Sequence, residues 1–122
     1  MSKLIYLAGP YSYNPALAFE MHMQYTAFLF KEGHLIFSPI LHNHQLAHTH
    51  NLPTNISFWH KYNKDMLLKC DELMVIAEGM LWQKSEGVQH EIKVAKEANM
   101  PISYIAYCPE LAIMVKSFNF AS

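Results

Sequence analysis

The stretch Trp82-Gln83-Lys84-Ser85-Glu86-Gly87-Val88-Gln89-His90-Glu91 ends in a carboxylate placed where a helix normally buries an apolar side chain. Val88, Ile92, Ala95 and Asn99 recur at helical spacing, and Glu91 lies three residues after Val88 and four before Ala95, so it shares their stripe. An unpaired buried charge is costly, so this carboxylate must be paired, protonated or at work. The bland alternative is a rim residue in an ordinary ion pair with Lys93 or Lys96.

A second cluster, His42-Asn43-His44-Gln45-Leu46-Ala47-His48-Thr49-His50, sets four imidazoles within nine residues. Such a tract can suit zinc or nickel, and His44 with His48 at i, i+4 would share one helical face. No Cys stands close by, however, and no H-E-x-x-H pattern appears. We read one or two of these histidines as substrate-loop residues and expect neither a metal nor any other cofactor.

The elements that must position these groups follow from periodicity and punctuation. Leu4 to Ala8 is a continuous apolar run closed by Gly9-Pro10, the form of a strand buried on both faces. Asn14-Pro15 supplies an N-cap with proline at the first helical position, and Leu17, Met21, Thr26, Phe28, Leu29 and Phe30 carry a helix to the Gly33 stop. His34 to Ser38 reads as a second strand ended by Pro39, with a loop after it. Ser57 to Cys70 reads as helix, Glu72 to Ala77 as a third strand and Ile102 to Ala106 as a fourth, after the helix carrying Glu91. Strands alternating with helices predict a three-layer α/β fold, with a parallel sheet of about four to five strands and helices on both faces. In such sheets ligands bind outside the carboxyl ends of the strands, where Gly9 to Asn14, the loop after Ser38 and Glu78 to Ser85 meet.

Composition narrows the functional classes. The 122 residues, 52% hydrophobic, suffice for one domain over residues 1–122 but not for two. Charged residues make up 16% and the net charge is −1, which predicts an apolar surface covered in a homodimer or higher homo-oligomer. All nine basic residues are Lys, so the bidentate fork that favours guanine and phosphate is missing and a nucleic-acid surface is not expected. Cys70 and Cys108 form neither a C-x-x-C pair nor a disulfide frame, and read as reduced thiols of a cytoplasmic protein. The start runs directly into a short apolar stretch with no span of membrane length, so no membrane association is expected.

Three pieces in order carry a family resemblance. Ile5-Tyr6-Leu7-Ala8-Gly9-Pro10-Tyr11-Ser12, Asp65 ahead of Asp71-Glu72-Leu73-Met74-Val75-Ile76-Ala77, and Ser85-x-Gly87-Val88-x-x-Glu91 followed by Ala95 and Pro101 together resemble the nucleoside 2-deoxyribosyltransferase superfamily. The His-rich middle and Trp82 resemble a small branch of it. The resemblance implies a flavodoxin- or Rossmann-like sheet and an enzyme that cleaves or exchanges the N-glycosidic bond of a nucleoside or nucleotide.

It also implies roles for individual residues. Glu91 would be the nucleophile on the anomeric carbon, giving a covalent glycosyl-enzyme that water or a second base resolves. Asp65 would assist at the leaving base, with Asp71 nearby as an alternative, and Tyr6 would orient the nucleophile. Gly9 and Pro10 would let the backbone approach the sugar, while Ser12, Ser85 and Gly87 at the helix start would receive the 5′ end. Relatives acting on free nucleosides tend to carry Asp where Ser85 stands, and those hydrolysing 5′-monophosphates tend to carry Ser. The chain therefore leans toward a monophosphate, although Tyr11-Ser12-Tyr13 replaces the loop that usually brings an Arg. His44 is placed with the substrate, and Trp82 either covers the base or seals the core. Phe58, Trp59 and Tyr62 read as core or subunit-contact residues. The alternatives are a base-exchange transferase and a non-catalytic nucleotide-binding sensor on the same fold.

Overall fold

Alternation within the strands decides which helices cover which face. The computed structural model describes residues 3–50, 56–108 and 113–118, and the side chains of residues 48, 56–58, 107–108 and 113–118, His48, Phe58 and Cys108 among them, lie outside what is described. The elements run β1 (Leu4–Ala8), α1 (Pro15–Lys31), β2 (Leu35–Phe37), α2 (Pro39–Thr49), α3 (Ile56–Leu68), β3 (Glu72–Ile76), α4 (Leu81–Lys84), α5 (Glu86–Glu97), β4 (Ile102–Cys108) and β5 (Ile113–Phe118). The sheet order is β2-β1-β3-β4-β5; the first four strands are parallel, as expected, and β5 pairs antiparallel to β4.

Ile5, Leu7, Met74, Ile76 and Ile105 point to one face, where they pack with Tyr25 and Leu29 of α1. Tyr6, Ala8, Leu73, Val75 and Tyr104 point to the other, against Leu67 of α3 and Val88, Ile92 and Ala95 of α5. A strand covered on both faces has few polar positions to spare, which is why Leu4–Ala8 and, after Glu72, Leu73–Ile76 read as unbroken apolar runs. Cys70 joins the Tyr6–Tyr104 cluster as a free thiol, and burial pushes its pKa up to about 11, so it stays protonated at neutral pH.

Three expectations change, and Trp82 takes the second of its two readings. The segment after Ser38 is helical: Pro39 does not merely end β2 but opens α2, with the Ser38 hydroxyl accepting from the Leu41 amide at 3.4 Å. Within α1 the buried positions are Ala18, His22, Tyr25, Thr26 and Leu29, while Leu17 and Phe30 are 63% and 56% exposed. Asn99 leaves the Glu91 stripe, because α5 ends at Glu97 and Asn99 adopts a left-handed φ of 56° that an asparagine tolerates. Trp82 packs into the core, its ring 5.3 Å from that of Tyr104. Among the described residues no helix is long and apolar enough to cross a membrane.

Candidate active site

The chain leaves β1 toward β2 on one side of the sheet and returns to β3 on the other, so a crevice opens between the carboxyl ends of β1 and β3. A cleft of about 610 Å³ occupies it. Its walls come from the turn after β1 (Gly9, Pro10, Tyr11, Ser12, Tyr13), from α2 (Asn43, His44), from α3 (Trp59, Asn63) and from the α4–α5 junction (Lys84, Ser85, Glu86, Gly87), with Glu91 one turn further along α5.

Glu91 is 8% exposed and receives the hydroxyl hydrogen of Tyr6, a fully buried residue of β1. Burial pushes the Glu91 pKa up to about 7, against the smaller opposite pull of the Tyr6 hydrogen bond. Burial and the neighbouring carboxylate together hold Tyr6 well above the ordinary tyrosine range, so it donates and does not ionise. The chain thus keeps a carboxylate poised near neutrality at the edge of a cleft, with one oriented partner.

Ser85 caps α5, its Oγ 3.3 Å from the Val88 amide nitrogen. That contact uses an acceptor lone pair and leaves the hydroxyl hydrogen for a ligand. On α2 the Nδ1 of His44 lies 2.6 Å from the Tyr11 hydroxyl, and its ring stacks on Phe19 at 4.5 Å. The Asn43 side-chain amide donates to Oδ1 of Asn63 at 2.9 Å, joining α2 to α3 across the cleft wall.

Of the residues singled out from the sequence, the cleft gathers Gly9, Pro10, Ser12, His44, Ser85, Gly87 and Glu91, with Tyr6 behind Glu91. Asp65 is not brought to it: the side chain is 54% exposed and pairs with Lys61 at 2.7 Å, which holds its pKa below the usual carboxylate range. The α3 side chain that does line the cleft is Asn63, two residues earlier. Trp82 is not a wall residue either. Among the described residues no three His, Cys, Asp or Glu side chains gather as a metal site.

His22, which sequence reading passed over, supports the cleft from beneath. It is fully buried on α1, neither ring nitrogen has a hydrogen-bond partner among the described residues, and burial lowers its pKa to about 3, so it is neutral. A Cβ on Gly9 would stand 2.7 Å from its Nε2 and 3.3 Å from Ile76 Cδ1. Gly9→Ala is therefore expected to destabilise the chain by about 1–3 kcal/mol through overpacking, and His22→Ala in the same chain should recover most of the loss. Urea melts of the two single variants and the double variant measure this; strict additivity would dissociate the two sites.

The fold is shared with a 2-desoxiribosyltransferase from Leishmania mexicana, at a TM-score of 0.58 and 18% identity over 97% of this chain and 79% of that one. At that identity the likeness shows the fold. No curated protein matches the chain. A family profile matches residues 3–107, and the chain belongs to that family, described as Domain of unknown function (DUF1937).

Proposed function

We propose that the chain cleaves the N-glycosidic bond of a nucleoside 5′-monophosphate through a covalent glycosyl intermediate on Glu91. The observation that carries this reading is the buried Glu91 carboxylate, held by the Tyr6 hydroxyl where the cleft reaches the carboxyl end of β1. A carboxylate there can attack an oxocarbenium-like carbon, and water can then resolve the ester with retention. The fold shared with a 2-desoxiribosyltransferase supports glycosyl chemistry over other uses of such a carboxylate. The test is a panel of nucleosides and 5′-monophosphates assayed for free-base release; ligand binding without release, unaffected by removing Glu91, would make the chain a sensor.

At the 5′ end the reading assigns the phosphate to Ser85, Ser12 and the first amides of α5, with Lys84 on the same wall. Ser85→Asp keeps an N-cap of similar quality while setting a negative charge beside the phosphate. It is expected to lower kcat/KM for the best 5′-monophosphate by at least about tenfold, roughly 1.4 kcal/mol, and to hurt the matching nucleoside much less. Equal losses on both substrates would put the phosphate elsewhere.

A second reading, base exchange on a free nucleoside, is favoured by one observation. Glu86 lies on the cleft wall next to Ser85, and its carboxylate suits a neutral 5′-hydroxyl better than a dianion. Supplying a second free base to the panel separates the two, since exchange delivers that base into the product and suppresses net hydrolysis.

A further inference from the structure

We propose that Tyr11 and His44 form the proton relay that delivers a proton to the leaving base, an assignment that rests on the N-glycosidic reading of this site. When the C1′–N bond breaks, its electron pair stays on the base nitrogen, and most bases leave slowly without a proton. The sequence offered Asp65 as the donor, but its carboxyl is exposed and paired with Lys61. On the same helix the cleft meets Asn63, whose amide can donate a hydrogen bond but has no proton to give up.

Tyr11 and His44 both line the cleft, and the Tyr11 hydroxyl lies 2.6 Å from His44 Nδ1. Three elements fix the pair: Tyr11 comes from the turn after β1, His44 from α2, and Phe19 of α1 stacks on the imidazole with ring planes 28° apart. Tyr11 meets the same imidazole edge-on at 80°. Such packing holds the hydroxyl against the ring nitrogen at hydrogen-bond distance, as a relay needs. Trp59, Asn43 and Asn63 line the same cleft, giving the base a flat ring and amide groups beside the relay.

A Glu91 carboxylate oxygen bonds to C1′ while the C1′–N bond breaks, and the base nitrogen takes the Tyr11 hydroxyl proton. Tyr11 in turn takes the Nδ1 proton of the His44 imidazolium, leaving neutral imidazole. In the second half water attacks C1′, the Glu91 carboxylate leaves, and the water proton returns through Tyr11 to His44 Nδ1. Burial raises the Tyr11 pKa, which fits a hydroxyl that passes a proton without remaining ionised.

Tyr11→Phe and His44→Gln in the full chain test this with two substrates. One is the 5′-monophosphate that the wild type cleaves best; the other is a pyridinium 2′-deoxyriboside 5′-monophosphate, whose pyridine departs neutral and needs no proton. Each variant is expected to lose about 10²-fold or more in kcat on the first and to stay within about threefold on the second, with the double variant little worse than the worse single one. Pyridine release also reports that each variant is folded. Equal losses on both substrates, or no loss on the first, would overturn the relay while leaving N-glycoside cleavage standing. A wild type that releases neither base nor pyridine would overturn both.

Discussion

Glu91→Gln is expected to slow base release by at least about 10³-fold, roughly 4 kcal/mol of barrier, while leaving the chain folded. The amide is nearly isosteric with the carboxylate, and the Tyr6 hydroxyl can still donate to its oxygen, so the contact between β1 and α5 survives. What disappears is the negative charge that the proposed mechanism uses as its nucleophile. Because burial sets the wild-type carboxyl near 7, it is largely protonated at pH 5 and largely ionised at pH 8. The acid limb of the wild-type kcat/KM profile should accordingly follow this ionisation, and acid-quenched protein should carry a glycosyl adduct that the variant lacks. A variant that turns over at the wild-type rate would remove the mechanism.

Much of this frame is legible in the chain because two signals are strong. Apolar runs mark β1 and, after Glu72, β3, which are buried on both faces, and α5 shows its buried stripe through Val88, Ile92 and Ala95 around a misplaced carboxylate. Other parts depend on which of two meanings a residue takes. Ser38-Pro39 is the same N-cap and proline pair as Asn14-Pro15, yet only the latter reads as a helix start, since Pro39 also ends a strand and the tract behind it is polar. Asp65 fails for a reason of phase. A helix turns about 100° per residue, so residues 63 and 65 point some 200° apart. Leu67, fully buried, marks the inward face of α3, and Asn63 lies four residues before it. The relevant signal was therefore present, but it needed the phase of a helix whose aromatic start obscured it. His22 carried no signal at all: a histidine on a helix face is ordinary, and only the packing against Gly9 gives it a task.

The last expectation separates Glu91 from His22 by stability alone. Glu91 has a pKa of about 7 in the folded chain against an ordinary 4.5, so between those values the folded chain keeps a proton that the unfolded chain has lost. Its contribution is fully present below pH 4.5 and is lost as pH rises through 7, a change of about 3 kcal/mol in all. His22 works the opposite way: about 3 in the fold against 6.5, it leaves the folded chain short of a proton as pH falls, and stability drops on that side. In the wild type the two trends oppose each other where they overlap, and the profile there should be shallow. Glu91→Gln removes one of them. Relative to the wild type, the variant should therefore gain about 3 kcal/mol on going from pH 4.5 to above 7, and its own stability should fall steadily as pH drops below 6.5. Urea melts at a series of pH values measure the difference directly. A difference between the two chains that does not change with pH would mean that Glu91 titrates as an ordinary carboxylate, and the poised nucleophile would lose its physical basis.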